Sequence, residues 1–266
     1  MKILIVGGGN MGLTYAKSLL NAHIVTEDSL MVLEKSNEKA TKIKTLNVGT
    51  VFGEPDNYIK EADLIILAVK PQDSGVLFEK IKDYIDHQQV VLSIMAGIPI
   101  SKISEAVGSK KIIRAMPNLP AQVGSGMTVY TSSEDVTRIE LVMVQNILNS
   151  TGKTIYVDEE KLIDASTAIS GSGPAYVFFY IQSLIDTAQN LGFNKSESEL
   201  LAYTTFKGAI DLFNKNNFSC EEWISKVASR GGTTEAALNS YKQDDVARQL
   251  QKAYESAYNR ARELSN

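Results

Sequence analysis

One cysteine, two histidines and no apolar run long enough to cross a bilayer set the first limits on this 266-residue chain. The lone Cys220 excludes an intrachain disulfide and a cysteine-based zinc site. It is consistent with a reducing compartment, so a cytoplasmic location is expected. His23 and His87 fall in expected loops far from any motif, which weakens the case for a histidine base, a Ser-His-Asp triad or a histidine-held metal. No metal site is expected. Basic charge is not in excess either. Lys and Arg number 27 against 31 Asp and Glu, for a net charge of −4, whereas nucleic acid and anionic membranes favour basic patches. Neither partner is expected. The longest apolar run, 64–69, is the length of a buried strand, and the opening MKILIVGGG is too short to be a secretory signal.

What the chain does have is a change of pattern. Short apolar runs at 2–6, 30–34, 64–69, 90–95, 111–115, 127–131 and 154–157 read as strands. They alternate with helical patterns at 10–21, 36–45, 72–85, 100–107 and 136–151. Such alternation predicts βαβ units and a mostly parallel, doubly wound α/β sheet. Beyond residue 158 helical stretches follow one another, at 159–168, 174–191, 196–214, 221–228, 233–241 and 245–263. The expected organisation is an α/β domain over 1–158 and an all-helical domain over 159–266. The stretch PAYVFFYI at 174–181 is apolar almost all the way round, so that helix must be buried on all sides. Packing against a second copy and a central place in a monomeric bundle both satisfy this.

VGGGNMG, 6–12, places Gly7-x-Gly9-x-x-Gly12 where the first strand turns into the first helix. Glycine allows a tight turn and lets backbone approach a pyrophosphate, and the helix N-terminus offers N–H groups to the anion. In this βα context the pattern predicts dinucleotide binding. The second strand ends at Glu34, which can accept hydrogen bonds from the adenosine ribose and would repel a 2′-phosphate. This favours NADH over NADPH, although Lys35 and Ser36 follow directly and could engage a phosphate. Lys70, Ala96, Gly97 and Asn118 close later strands, at the sheet edge where α/β ligands bind. Small residues at Ala96 and Gly97 would admit a flat ring, and Asn118 could bond ring or substrate.

The chain resembles the pyrroline-5-carboxylate reductase family. The resemblance rests on GGGNMG (7–12), ADLIILAVKPQ (62–72), VLSIMAGI (91–98), RAMPNLPAQVGSGMTVY (114–130), DASTAISGSGPAYVFFYI (164–181) and VASRGGTTEAAL (227–238). It implies a Rossmann-type domain followed by a helical dimerisation domain, intertwined as a homodimer and commonly assembled as a ring of dimers. It also implies reduction of 1-pyrroline-5-carboxylate to L-proline with NADH or NADPH. By the same resemblance Gly7, Gly9, Asn10, Met11 and Gly12 cradle the pyrophosphate, and Glu34 discriminates the ribose. Asn57 matches an asparagine near the adenosine, and Ala68, Val69, Lys70, Ala96, Gly97, Pro117 and Asn118 line the cofactor crevice. Ser229, Gly231, Gly232, Thr233 and Thr234 bind the imino acid, with Thr234 beside the imine nitrogen as the catalytic residue.

These residues suit the chemistry. A cyclic imine can bind as iminium, so the centre needs no strong acid, and the signature loops lack His, Asp and Glu at that centre. The amides of Gly231, Gly232 and Thr233, just before a helix, can form an anion nest for the substrate carboxylate. Arg230 replaces the proline usual in the family. A reductase of a related cyclic imino acid and a non-catalytic dinucleotide-binding regulator on the same scaffold are the alternatives.

Overall fold

A computed structural model describes residues 1–265. Eight strands form one sheet in the order β3-β2-β1-β4-β5-β6-β7-β8. They are β1 (Ile3–Val6), β2 (Leu30–Leu33), β3 (Thr50–Phe52), β4 (Leu64–Leu67), β5 (Val90–Ser93), β6 (Ile112–Met116), β7 (Gly126–Ser132) and β8 (Gly152–Tyr156). Helices α1 (Asn10–Asn21), α2 (Asn37–Lys44), α3 (Ser74–Ile81), α4 (Ile100–Val107) and α5 (Arg138–Asn149) connect or follow them. All pairings are parallel except β6–β7. That exception has a simple cause: the short segment between Met116 and Gly126 holds only a 3₁₀ turn, too little chain for a parallel crossover.

The inner strands read as unbroken apolar runs because both faces are covered. Ile3, Ile5, Leu30, Val32, Leu64, Ile66, Val90 and Leu92 pack into one core, and Leu4, Val6, Met31, Leu33, Ile65, Leu67 and Val91 into the other. The period-two alternation of a strand sorts neighbouring residues to opposite faces. Strand β3 has no counterpart in the sequence reading. It is three residues long, at the sheet edge and only half-buried, so it lacks the apolar run by which the others are recognised.

After β8 the chain runs α6 (Lys161–Ser166), a π-helical turn (Thr167–Gly171), α7 (Gly173–Asn190), α8 (Lys195–Lys215), α9 (Cys220–Val227), α10 (Thr233–Gln243) and α11 (Val246–Ser265). The break expected between 168 and 174 is this π turn. Capping boxes start α8, with Asn194 and Glu197, and α9, with Ser219 and Glu222.

Two compact units result: Met1–Ser172 joined by the chain from Ala257 onward, and Gly173–Ser256. The sequence reading divides the chain at 158 instead. Residues 159–172 belong with the sheet because Arg114, on β6 and 1 % exposed, holds α6. It donates to Glu160 at 2.9 Å and Asp164 at 2.6 Å. Glu160 also accepts the Ile100 N–H at 2.8 Å. Ser265, from α11, donates to Asp164 at 2.8 Å. Among the described residues of the second unit only Ala188, Ser198 and Ala202 are buried, while Phe178, Phe179, Leu200 and Tyr203 are 60–71 % exposed. The all-round apolar helix is therefore not enclosed within its own chain. No described helix is long and apolar enough to cross a membrane.

Candidate active site

The strand order reverses between β1 and β4, so a crevice opens at their carboxyl ends. The turns beyond them are tied by backbone: Gly7 N–H donates to Leu33 O at 2.9 Å, and Ala68 N–H to Val6 O at 2.8 Å. Gly7 has φ +106°, and a Cβ there would lie 2.8 Å from the Ala68 carbonyl oxygen. A Cβ at Gly12 would strike the Gly7 carbonyl. By contrast nothing lies within 4 Å of where a Cβ at Gly9 would stand, leaving that backbone open to a ligand.

Two cavities flank this loop. One, of about 280 Å³, is lined by Gly7, Gly9, Glu34, Ala68, Val69 and Lys70, together with Lys39 and Gly53–Pro55. The other, of about 580 Å³, is lined by Gly9, Asn10, Met11, Ala68, Val69, Lys70 and Ala96, again with Lys39. Glu34 is 6 % exposed, and its two carboxylate oxygens accept the Gly8 and Ser36 N–H groups at 2.9 and 2.8 Å. Lys35 pairs with Asp73 at 2.9 Å and Lys80 with Glu54 at 3.2 Å, whereas Lys39 and Lys70 make no ion pair among the described residues.

Of the residues expected at the crevice, Gly12, Asn57, Gly97, Pro117 and Asn118 line neither cavity. Asn57 is exposed and lines neither cavity; it opens a 3₁₀ turn, its N–H bound to Asp56 Oδ1 at 2.7 Å. Gly53–Pro55 line that part of the cavity instead. Stacking of Phe52 on Tyr58, with centroids 3.6 Å apart, places them there, as does the Tyr58 hydroxyl donating to Glu54 O at 3.0 Å. Burial first, then the charges of Asp56 and Glu54, raises the Tyr58 phenol's pKa and keeps it a donor. Gly97, at φ +70°, is buried beneath the end of α11: a Cβ there would lie 2.8 Å from Leu264 Cβ. Pro117 is buried and lines neither cavity. Asn118 is committed at both ends, its Nδ2 donating to Ser170 O at 2.9 Å and its Oδ1 accepting the Met127 N–H at 2.9 Å. The residue four on from Ser170 is Pro174, which has no N–H to offer, so the Ser170 carbonyl takes the Asn118 amide.

In the second unit Gly232 caps α10, with Thr233 and Thr234 its first two residues. The expected nest of Gly231, Gly232 and Thr233 amides is altered. Gly231 N–H donates to Glu235 Oε2 at 2.7 Å, and Gly232 N–H to Ser229 O at 3.0 Å. No side chain caps the helix, so the orphan donors of its first turn are the amides of Thr233, Thr234 and Glu235. Arg230 is exposed and makes no ion pair among the described residues.

Lys39 and Gly53–Pro55 escaped the sequence reading. A missed edge strand hid Gly53–Pro55, though Thr-Val-Phe followed by Gly-Glu-Pro is a legible strand-and-turn signal. For Lys39 no local signal existed, because α2 carries three lysines and only its rotation selects those that line a cavity, Lys39 in both and Lys42 in the larger.

Residues 160–264 match the family model "Pyrroline-5-carboxylate reductase dimerisation", and residues 2–97 match "NADP oxidoreductase coenzyme F420-dependent". The chain is 36 % identical to a pyrroline-5-carboxylate reductase of Aquifex aeolicus, over 88 % of this chain and 86 % of that one. Its fold superposes with TM-score 0.90 on the Plasmodium falciparum pyrroline carboxylate reductase solved with NADP bound, at 30 % identity, covering 100 % of this chain and 98 % of that one. The Coxiella burnetii pyrroline-5-carboxylate reductase gives 0.89, at 32 % identity and the same coverage. With a dinucleotide crevice at the β1–β4 reversal, a glycine-threonine loop opening a helix, and relatives matched along nearly the whole chain, this protein is an NAD(P)H-dependent oxidoreductase that belongs to the pyrroline-5-carboxylate reductase family.

Proposed function

We propose that this chain reduces 1-pyrroline-5-carboxylate to L-proline. The observation that carries the reading is the crevice itself. Its glycine backbone is open at Gly9, and its walls present Glu34 toward one end and Ala96 toward the other. A dinucleotide fits such a groove: Gly7, Gly9, Asn10 and Met11 would hold the pyrophosphate, with Gly12 allowing the turn, and Ala68, Val69, Lys70 and Ala96 would line the path to the ring. When bound, the dihydronicotinamide supplies a hydride to the carbon of the C=N bond.

The substrate is assigned to the loop from Ser229 to Thr234. The first-turn amides of α10 would take its carboxylate, and the Thr234 hydroxyl would hydrogen-bond the imine nitrogen and hold the ring. NADH is the preferred cofactor in this reading, because the Glu34 carboxylate lines the cavity where a 2′-phosphate would lie. The exposed apolar helices of the second unit support a homodimer completed by a second copy, and the family resemblance extends this to a ring of dimers. The cytoplasmic location is part of the same proposal.

The test is a rate assay crossing NADH and NADPH with the five-membered imine and its six-membered homologue. Faster oxidation of NADH with the five-membered ring supports the reading. Oxidation of neither dinucleotide with either imine refutes it, and a higher rate on the six-membered ring moves the assignment to that substrate.

A further inference from the structure

The Glu34 carboxylate does more in this fold than face a ribose. Its Oε2 accepts the N–H of Gly8, in the turn after β1, and its Oε1 accepts the N–H of Ser36, the residue that caps α2. These two loops frame one end of the dinucleotide crevice. Neither N–H has another acceptor among the described residues. The carboxylate is almost wholly removed from water, where hydrogen bonds to a charged acceptor are strongest. It spans two loops far apart in sequence that no other side-chain hydrogen bond joins among the described residues.

We propose that Glu34 is a positioning residue that braces the glycine loop against the start of α2, setting the shape of the crevice for NADH and NADPH alike. The inference rests on the dinucleotide reading above and adds a role independent of cofactor choice. A carboxylate can accept about four hydrogen bonds. Two are taken by the loops, so the brace and a contact to ribose hydroxyls are compatible.

Charge repulsion and bracing predict different outcomes for one substitution. If Glu34 acts only by repelling a 2′-phosphate, removing it strengthens NADPH binding. If it also braces the loop, Glu34→Ala weakens NADH binding and offsets the gain for NADPH, and the ratio between them moves toward NADPH. ADP-ribose, which carries neither the 2′-phosphate nor the nicotinamide, removes charge repulsion from the comparison, and amide exchange in the ligand-free protein separates the brace from a lost ribose contact. We expect Glu34→Ala to lose about tenfold in ADP-ribose affinity by calorimetric titration, the part of two lost intramolecular bonds that returns as the cost of ordering the loop on binding. Glu34→Gln, with one acceptor oxygen left, recovers part of that loss. Amide hydrogen exchange in the full-length variant should rise around Gly8 and Ser36 and stay unchanged in β4 and β5, a local signature that general destabilisation would not give. Wild-type ADP-ribose affinity in Glu34→Ala, or amide exchange unchanged at Gly8 and Ser36, overturns the brace. Tight ADP-ribose binding by a wild-type protein that reduces no imine would instead refute the proposed reaction and leave the brace intact.

Discussion

Replacing Arg114 by methionine tests how the sheet holds the helix that follows it. Arg114 is 1 % exposed on a β-strand and donates to Asp164 at 2.6 Å and Glu160 at 2.9 Å. The two acceptors differ in surroundings: the Asp164 side chain is 12 % exposed and that of Glu160 33 %, so the aspartate pair dominates. Removing one partner of a buried pair generally costs about 3–5 kcal/mol, because the other charge is left uncompensated. Two features pull toward the lower end. Water reaches Glu160, and Arg114 Nε has no acceptor among the described residues, a defect that methionine relieves. About 3 kcal/mol is then expected, and at about 2–4 °C per kcal/mol for a unit of this size the melting temperature should fall by about 6–12 °C. Differential scanning calorimetry at fixed protein concentration reads it, since association also stabilises. A second variant separates charge from shape. In the Arg114→Met background, Asp164→Leu should restore part of the loss, whereas alone it should destabilise. A drop of under about 2 °C, or strict additivity of the two substitutions, would refute the assignment of Arg114 as the ionic anchor of α6.

Three further outcomes follow from geometry already described. Thr234→Ala should lower kcat/KM for the imine about threefold to tenfold, the value of one hydroxyl hydrogen bond, and leave the dissociation constant of NADH unchanged; steady-state kinetics beside a fluorescence titration checks this. Gly97→Ala forces a Cβ to 2.8 Å from Leu264 Cβ at a left-handed φ of +70°, so about 2–5 kcal/mol of destabilisation is expected from strain and overpacking together, readable as a lowered melting temperature. The Tyr180 phenol, 2.9 Å from the Tyr254 hydroxyl, is pushed up to about 12, first by that hydrogen bond and then by burial. A raised phenol favours the folded state in its neutral form, so its contribution is complete below pH 10 and lost as the pH rises through about 12. Tyr254→Phe should move the Tyr180 titration back toward 10 in an ultraviolet absorbance titration, and an unmoved curve would separate the two residues.

The fold was largely legible because each part of the chain obeys one period. Strands such as Leu64–Leu67 are buried on both faces and read as runs, while the helices carry capping signals such as Asn194 with Glu197. The glycine turn was legible for the same reason, since Gly7 and Gly12 meet local steric demands that a short stretch can reveal. Legibility failed where a residue's role depends on a distant partner. Asn118 looked like a ligand contact from its place after β6, yet Ser170 and Met127 occupy its amide. Gly97 looked open, yet Leu264 covers it. The amides of Gly231 and Gly232 looked free, yet Glu235 and Ser229 hold them. For Asn118 and Gly97 the competing group lies beyond the motif, and Arg114 is the extreme example, a buried cation on a strand whose counterions come from the start of a helix about fifty residues on.

Helix α11 starts in one compact unit and ends in the other. This has a consequence for the order in which the nascent chain becomes native. The sheet is translated early, but Gly97 stays uncovered and Asp164 lacks its Ser265 hydrogen bond until the region around Leu264 has left the ribosome. Sequence separation of this kind delays closure and leaves sticky surface exposed meanwhile. During synthesis, then, the first unit waits on residues translated after the whole helical unit.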